Sequence, residues 1–458
     1  MDYTNKNILV LGAGTSGIGA AITASAVGGR VILNDNKEIA LSSKDGQELS
    51  RAGVRVITGR QDNSLLDGTD IIIVSPGIAL TIPILVEAAK RQIPIIGEVE
   101  LAYQVAKAPI LAVTGTNGKT TTTMLLGAVL KEAGYPICIG GNIGDSLSEE
   151  VMTVPANGYV VAEVSSYQLE TCHTFHPKGA IVLNITPDHL QRHKTMAAYQ
   201  KAKETIFANQ TGSDFTVLNV DDTIVATMQE RTQGHVLLIS QKQKVSDGAY
   251  FADNTCYAVR QGQAEAVITT ADIHLPGQHN IENILAVIAL TFALGVPVAL
   301  IKKAIAAFKS VEHRIEYVAT IKQVKYYNDS KATNTDSAIK ALEAFNGQVF
   351  LIAGGHDKMT PLADFMKEVK KRTKGIILIG EAAERFEKAA KEAGVDRIWR
   401  AESMHGAVVL GSELARAGDV VLLSPACSSF DWYSCFEERG DDFKKEVKEL
   451  EAKVKGGR

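Results

Sequence analysis

The chain lacks paired cysteines. Its 458 residues include five, Cys138, Cys172, Cys256, Cys427 and Cys435, an odd and widely separated set with no C-x-x-C. That excludes a disulfide framework and predicts reduced thiols. A basic surface is missing as well: charged residues make up 22 % and the formal net charge is −4. No field is available to bind nucleic acid by counterion release, so nucleic acid is excluded as a partner. The N-terminus also lacks a long apolar run. The N-terminal MDYTNKN is polar, and the following ILVLGAG is broken by glycine within a strand's length. Neither a signal peptide nor a membrane span is read there, and a cytoplasmic location is expected. No low-complexity segment or solenoid period occurs.

What is present is an α/β alternation repeated three times. At roughly 100 to 200 residues per domain the length accommodates about three domains, each with its own core. From residue 7, NILVLG, a glycine turn with a helix and RVILND form a βαβ unit, continued by strands VRVIT and DIIIVSP and closed by PIIGEVELAYQVA. A second region opens with strand PILAVTG and helix TTTMLLGAVLKEAG, whose Gly134 is a stop signal. Strands GYVVAEVSS, GAIVLNIT, DFTVLNV and HVLLIS follow, then a helix from Asn280 to about Leu294. The third alternates QVFLIAGG, KGIILIG and DVVLLSPA with charged helices. Three α/β domains are therefore predicted, spanning 1–97, 98–310 and 311–458, the central one with a mostly parallel sheet. In the C-terminal FKKEVKELEAKVK, Phe443, Val447, Leu450 and Val454 stand at helical spacing, which predicts a docking helix with a solvated charged face.

Two glycine turns carry the chemistry. Gly12-Ala-Gly14-Thr-Ser-Gly17 follows a strand and opens a helix, and Asp35 ends the next strand. This is a dinucleotide fingerprint, in which the backbone approaches a diphosphate and Asp35 accepts from a sugar hydroxyl or a base N–H. Any nucleoside diphosphate satisfies it, and a purely structural βαβ turn is the bland alternative. Ser75-Pro76-Gly77 adds a further loop to the same crevice. The second turn, Gly115-Thr-Asn-Gly118-Lys119-Thr120-Thr121, is a phosphate loop two residues short of G-x-x-x-x-G-K-[ST], because Val113 stands where the first glycine belongs. Its lysine can reach terminal phosphates and the hydroxyl after it can ligate Mg²⁺.

Three stretches surround that loop. Glu163 ends the strand of VVAEVSSYQLE, where a carboxylate among apolar residues needs a cation. Asp188 and His189 end another, and the zinc reading of His189 with His193 fails because Leu190 holds the base position of H-E-x-x-H. Lys203, in YQKAKETIF, reads by default as a solvated helix lysine. Cys172, His173 and His176 in TCHTFH fit no common zinc spacing and read as structural filler.

Taken in order, GTNGKTTT, EVSSYQLE, ITPDHLQRH, YQKAKETIF, GQHNIENILA and HRIE resemble the Mur ligases of peptidoglycan synthesis and their folylpolyglutamate synthetase relatives, over essentially the whole chain. Where most members open the third domain on a motif like D-Y-A-H-N-P, this chain has NDSKATN, and its C-terminus carries SPACSSFDWYSCFEERG. Both are similar to the D-glutamate-adding branch. The resemblance implies Rossmann-like first and third domains around a P-loop ATPase-type central one. It also implies ATP-dependent addition of D-glutamate to UDP-N-acetylmuramoyl-L-alanine through an acyl phosphate and a tetrahedral intermediate.

By the same resemblance Gly115, Thr116, Asn117, Gly118 and Lys119 hold the ATP phosphates. Thr120, Thr121 and Glu163 sit at one Mg²⁺, and His189 at a second. Lys203 matches a lysine carrying a CO₂-derived carbamate that serves the second ion. Asn280 and Asn283 match adenine positions, Arg314 a phosphate contact and Asp329 a ribose contact. Thr15, Ser16, Asp35, Asn36, Ser75 and Gly77 match the uridine site, with Asn142, Ser165 and His189 nearer the muramoyl-alanine. Lys331, Thr333, Lys358, Ser429 and Phe436 match the D-glutamate site. Asn36 departs from the threonine common in the family. A monomer is expected. The competing readings are a sister ligase for another amino acid, an NAD-dependent oxidoreductase resting on the first turn alone, and a regulatory NTPase resting on the second.

Overall fold

The computed structural model describes residues 2–36, 44–143, 146–275, 277–309, 312–345, 348–357 and 359–456. The chain forms two compact units, Met1–Ile273 with Ile281–Ala307, and His274–Asn280 with Phe308–Arg458. Three sheets occur among the described residues, as the three α/β repeats predict, and the first unit holds two of them.

The first sheet contains β1 (Asn7–Leu11), β2 (Arg30–Asp35), β3 (Arg55–Thr58), β4 (Ile71–Val74) and β5 (Ile95–Gly97) in the order β3-β2-β1-β4-β5, all parallel. The order reverses between β1 and β4, the place where an open α/β sheet leaves a crevice at its carboxyl ends. Val10, Leu33 and Ile73 face one apolar layer and Leu9, Leu11 and Ile72 the other, which explains why these strands read as continuous hydrophobic runs.

The second sheet comprises β6 (Ile110–Thr114), β7 (Ile137–Gly141), β8 (Tyr159–Glu163), β9 (Gly179–Val182), β10 (Phe215–Asn219), β11 (His235–Ser240), β12 (Gly248–Ala252), β13 (Thr255–Arg260) and β14 (Gln263–Thr269). Their order is β14-β13-β12-β11-β10-β9-β6-β8-β7. Strands β6 to β12 are parallel, while β12, β13 and β14 form an antiparallel extension that the sequence reading did not anticipate. Its turns are Asp253-Asn254 and Gln261-Gly262, all at positive φ. These are the two-residue hairpin connections whose twist matches the strands they join.

The third sheet has β15 (Glu316–Ile321), β16 (Val324–Asn328), β17 (Val349–Gly354), β18 (Thr373–Ile379), β19 (Ile398–Arg400) and β20 (Val420–Leu423), ordered β15-β16-β20-β17-β18-β19. The helix Phe436–Gly456 buries Phe443 and Val447 on it, with Leu450 and Val454 half-buried beside them, as their spacing predicts. None of the five cysteines forms a disulfide. Among the described residues no helix is long and apolar enough to cross a membrane.

Candidate active site

The first glycine turn borders a cleft of about 750 Å³. Gly17 must be glycine, since a Cβ there would lie 1.8 Å from the Gly12 carbonyl oxygen. The close approach it allows sets the helix Thr15–Ala26 on the strand ends. That helix has no side-chain cap at Gly14, so its first N–H groups remain for an anion. Asp35 accepts from the Ala13 N–H at 2.7 Å and so braces the turn from inside. All six residues expected at the uridine site, Thr15, Ser16, Asp35, Asn36, Ser75 and Gly77, line this one cleft. Gln61 lines it too and was missed, since a polar residue in a loop matches no motif. Its amide donates to Asn34 Oδ1 at 3.1 Å.

The phosphate loop runs from β6 into the helix Lys119–Glu132 and is fastened to the end of β9. Asn184 accepts from the Asn117 N–H at 2.8 Å and donates to the Asn117 carbonyl at 3.2 Å, while Thr116 Oγ1 meets the Tyr199 hydroxyl at 3.1 Å. Asn184 and Tyr199 are further residues that sequence reasoning passed over, although both lie inside quoted motifs. Gly118 has φ +85°, and a Cβ on it would come 2.3 Å from Asn283 Oδ1. The expected nucleotide residue Asn283 thus packs on the loop. Lys119 Nζ donates to the carbonyls of Gly115 at 3.0 Å and Thr116 at 2.8 Å.

Glu163 lies opposite Val113 in the register of β6 and β8 and is buried. Its Oε1 accepts from Asn142 Nδ2 at 2.9 Å, whereas the buried Oε2 has no hydrogen-bond partner among the described residues. A buried carboxylate oxygen in that condition suits a cation. Thr120 and Thr121 are buried at the start of the adjoining helix. His189, at φ +53°, places Nδ1 3.0 Å from the Tyr167 hydroxyl and Nε2 3.3 Å from Asp188. Burial first, then the positive charges of Lys119 and Lys203, hold its imidazole below the usual histidine range against Asp188. Ser165 spends its hydroxyl as the cap of the helix Ser166–Leu169, in a capping box with Gln168.

Lys203 overturns its default reading. It is not solvated: 1 % of it is exposed, with Nζ 2.8 Å from the Gly115 carbonyl and over the Tyr199 ring. Its helix, Met196–Glu204, presents this face to the sheet, so the residue sits beneath the phosphate loop. Burial, and next the Lys119 ammonium, hold its amine well below the usual lysine range, with Asp188 and Glu163 opposing. The TCHTFH cluster behaves as filler. Cys172 Sγ donates to the Gln168 carbonyl, His173 Nε2 lies 2.8 Å from the Ile95 carbonyl, and His176 pairs with Asp214 at 2.6 Å.

In the second unit, Asp329 is buried and accepts from Ser424 Oγ at 2.7 Å and the Ile315 N–H at 3.2 Å. Burial pushes its carboxyl up to about 7. One buried guanidinium nitrogen of Arg314 has no hydrogen-bond partner among the described residues. Lys331 Nζ lies 5.5 Å from the centroid of the Phe436 ring, and Ser429 is buried in the loop before the helix that Phe436 opens. Asn280 is buried in the first turn of the helix His279–Ala293, and Thr333 lies in the loop after Lys331. Lys358 lies outside the described residues. Glu312, His313 and Asp441 have cation-site spacing, but the Lys444 ammonium occupies their midst, 3.0 Å from Asp441.

Comparison with known proteins matches three family descriptions in series: a MurD-like Mur ligase N-terminal domain over residues 6–97, a Mur ligase middle domain over 113–291, and a Mur ligase glutamate ligase domain over 313–427. The UDP-N-acetylmuramoylalanine--D-glutamate ligase of Pelotomaculum thermopropionicum is 42 % identical over 98 % of this chain and 99 % of its own length. The enzyme of the same name from Bacillus cytotoxicus is likewise 42 % identical, over 98 % and 99 %. Among solved structures, UDP-N-acetylmuramate-alanine ligase of Thermotoga maritima superposes with a TM-score of 0.60 at 20 % identity, covering 97 % of this chain and 99 % of that one. A pseudomurein peptide ligase of Methanothermus fervidus gives 0.60 at 19 %, over 97 % and 100 %, which shows the shared fold. The chain belongs to the Mur ligase family.

Proposed function

We infer that the protein is an ATP-dependent amide ligase that adds D-glutamate to UDP-N-acetylmuramoyl-L-alanine in peptidoglycan precursor synthesis. The observation that carries this reading is the 42 % identity to D-glutamate ligases over nearly the full length of both chains, the amino-acid domain included. An oxidoreductase reading leaves the phosphate loop without a role, and an NTPase switch leaves the first cleft without one. Boundaries at residues 97 and 310 remain our division of the three domains.

The chemistry follows from the acceptor. A carboxylate is a poor electrophile, and transfer of the terminal phosphoryl group of ATP to one of its oxygens gives ADP and an acyl phosphate. The D-glutamate amine, in its neutral form, attacks the carbonyl carbon; the tetrahedral intermediate collapses with loss of phosphate, leaving the amide. The first cleft holds the uridine diphosphate through helix N–H groups and the loop braced by Asp35. Lys119 exchanges the Gly115 and Thr116 carbonyls for phosphate oxygens and stabilises the charge that develops on them. Asn280, Asn283, Arg314 and Asp329 serve the nucleoside end. Lys331, Thr333, Lys358, Ser429 and the Phe436 backbone serve two carboxylates and an amine.

Thr120 and Glu163 would hold one Mg²⁺ and His189 a second, and the partnerless Glu163 oxygen suits that role. Bound Mg²⁺ supplies charge neutralisation to the phosphates. Lys203 completes the set as a carbamate: its neutral amine adds CO₂, a C–N bond forms and a proton leaves to water. The low basicity of this amine supports the reading, because only the unprotonated form is nucleophilic. Both ATP and the UDP-linked acceptor fit a cytoplasmic site. The test is a product mass spectrum after incubation with ATP, Mg²⁺, the acceptor and a panel of amino acids. A D-glutamate adduct with matching phosphate release is expected; an adduct with a different amino acid, or phosphate release without acceptor, contradicts the reading.

A further inference from the structure

Arg439 is among the largest side chains of the chain that are fully buried, with 1 % exposure. It stands on the helix Phe436–Gly456, where the sequence shows only one more charge in a charged run. Its guanidinium donates four hydrogen bonds: Nε to Ser330 Oγ at 2.9 Å, one terminal nitrogen to the Ser428 carbonyl at 3.0 Å, and the other to the carbonyls of Ser330 at 2.8 Å and Cys427 at 3.1 Å. Ser330 Oγ in turn donates to the Phe436 carbonyl at 2.7 Å. Among the described residues every acceptor is a neutral oxygen. Burial draws the guanidinium down to about 10, so it stays charged at neutral pH.

A buried cation with no carboxylate bonded to it is costly, and packing alone does not explain its presence. The anchor points do suggest a reason. Ser330 adjoins Lys331, Ser428 adjoins Ser429, and the third strand of the network ends on Phe436 itself. Gly355, at φ +136°, completes the enclosure, since a Cβ there would lie 3.0 Å from the guanidinium.

We propose that Arg439 is the positioning residue of the amino-acid site: its planar fork fixes the loops bearing Lys331 and Ser429 against the helix that starts at Phe436, and its charge favours a dicarboxylate among them. The proposal rests on the D-glutamate reading above. It makes no contact with substrate a requirement. A fork that binds several loops at once cannot be replaced by a point charge, so lysine is not conservative here. D-glutamate, with two carboxylates and an amine that must be neutral to attack, is the substrate whose binding depends on both features.

The experiment uses the full-length enzyme with Arg439→Lys and Arg439→Gln. KM is measured for D-glutamate, acceptor and ATP, and acyl-phosphate formation is trapped with hydroxylamine in the absence of D-glutamate. Losing charge-assisted bonds predicts a rise in KM for D-glutamate of about tenfold or more for lysine, and a larger one for glutamine. KM for acceptor and ATP, and the trapped acyl phosphate, should stay within about twofold in the lysine variant, the range left when distant sites are independent. Unchanged KM for D-glutamate overturns the proposal, and so does an equal fall in acyl-phosphate trapping, which marks a general loss of structure. If the glutamine variant does not fold, the lysine variant decides. A wild-type enzyme that ignores D-glutamate rejects the functional reading instead, before any variant is compared.

Discussion

The two glycine turns of the first unit both carry a parallel strand into a helix N-terminus, and their surroundings differ. The first opens on a cleft of about 750 Å³ whose rim, including Gly14, Thr15, Asn36 and Gly77, is exposed. The second lies against buried polar groups, Thr120, Glu163 and Lys203, and one Glu163 oxygen has no partner among the described residues. Holding a handle requires directional contacts and room for water, and the open cleft supplies them. Transferring a phosphoryl group requires charges in a medium that does not screen them, and burial supplies that. On the proposed function, the same local geometry serves recognition in one place and chemistry in the other.

Lys203→Ala should separate the two most sharply. Turnover should fall by about 10² or more, the order expected when a charge-stabilising group in a closed site is lost. Acceptor binding measured by calorimetry should stay unchanged. Acetate or formate should restore part of the rate and chloride at equal ionic strength should not. Equal rescue by chloride would return Lys203 to the status of a packing residue.

Asp35→Asn attacks the other side. The asparagine keeps the size of the side chain but weakens the bond to the Ala13 N–H, and affinity for the UDP-linked acceptor should fall about tenfold, the effect of losing one charge-assisted bond. ATP-analogue binding should not change. A parallel loss of both would mean that the turns are not separate sites.

How far the sequence announced this contrast depended on the kind of signal. β2 matches its expected span, RVILND, because a buried parallel strand is a continuous apolar run bounded by turn residues. The phosphate loop was legible because its glycines answer to local backbone geometry. Lys203 was not, since helical periodicity does not show which neighbour covers a face, and only the resemblance pointed to it. The hairpins of β12 to β14 were legible in principle through Asp253-Asn254 and Gln261-Gly262. They were overlooked because β14 is largely exposed and lacks a hydrophobic run. Arg439 was invisible, its environment being assembled from loops more than a hundred residues away as well as beside it.

The third sheet extends the comparison through pH. Burial raises the Asp329 carboxyl to about 7, so between about pH 4 and 7 the native state holds a proton that the unfolded chain has released. Stability from this group is therefore full at the acid end and declines as pH rises through that window. Asp329→Asn should flatten the slope, raising Tm at pH 7 relative to pH 5 by a few degrees compared with wild type. An identical slope in both proteins would show that the carboxyl titrates normally.

Gln61→Ala is the mildest test of the open cleft. Removing one neutral hydrogen-bonding group should weaken acceptor binding about fivefold and leave turnover at saturation unchanged. A fall in turnover without a change in affinity would move Gln61 from recognition to chemistry.

The division of labour itself is tested most directly by titration calorimetry on the intact protein, with UDP-N-acetylmuramoyl-L-alanine and with NAD, each in the absence and presence of a saturating non-hydrolysable ATP analogue. The account predicts that the UDP-linked acceptor binds under both conditions, because the analogue fills only the second turn, and that NAD releases no heat. Tight NAD binding with no binding of the acceptor, or displacement of the acceptor by the ATP analogue, would contradict it.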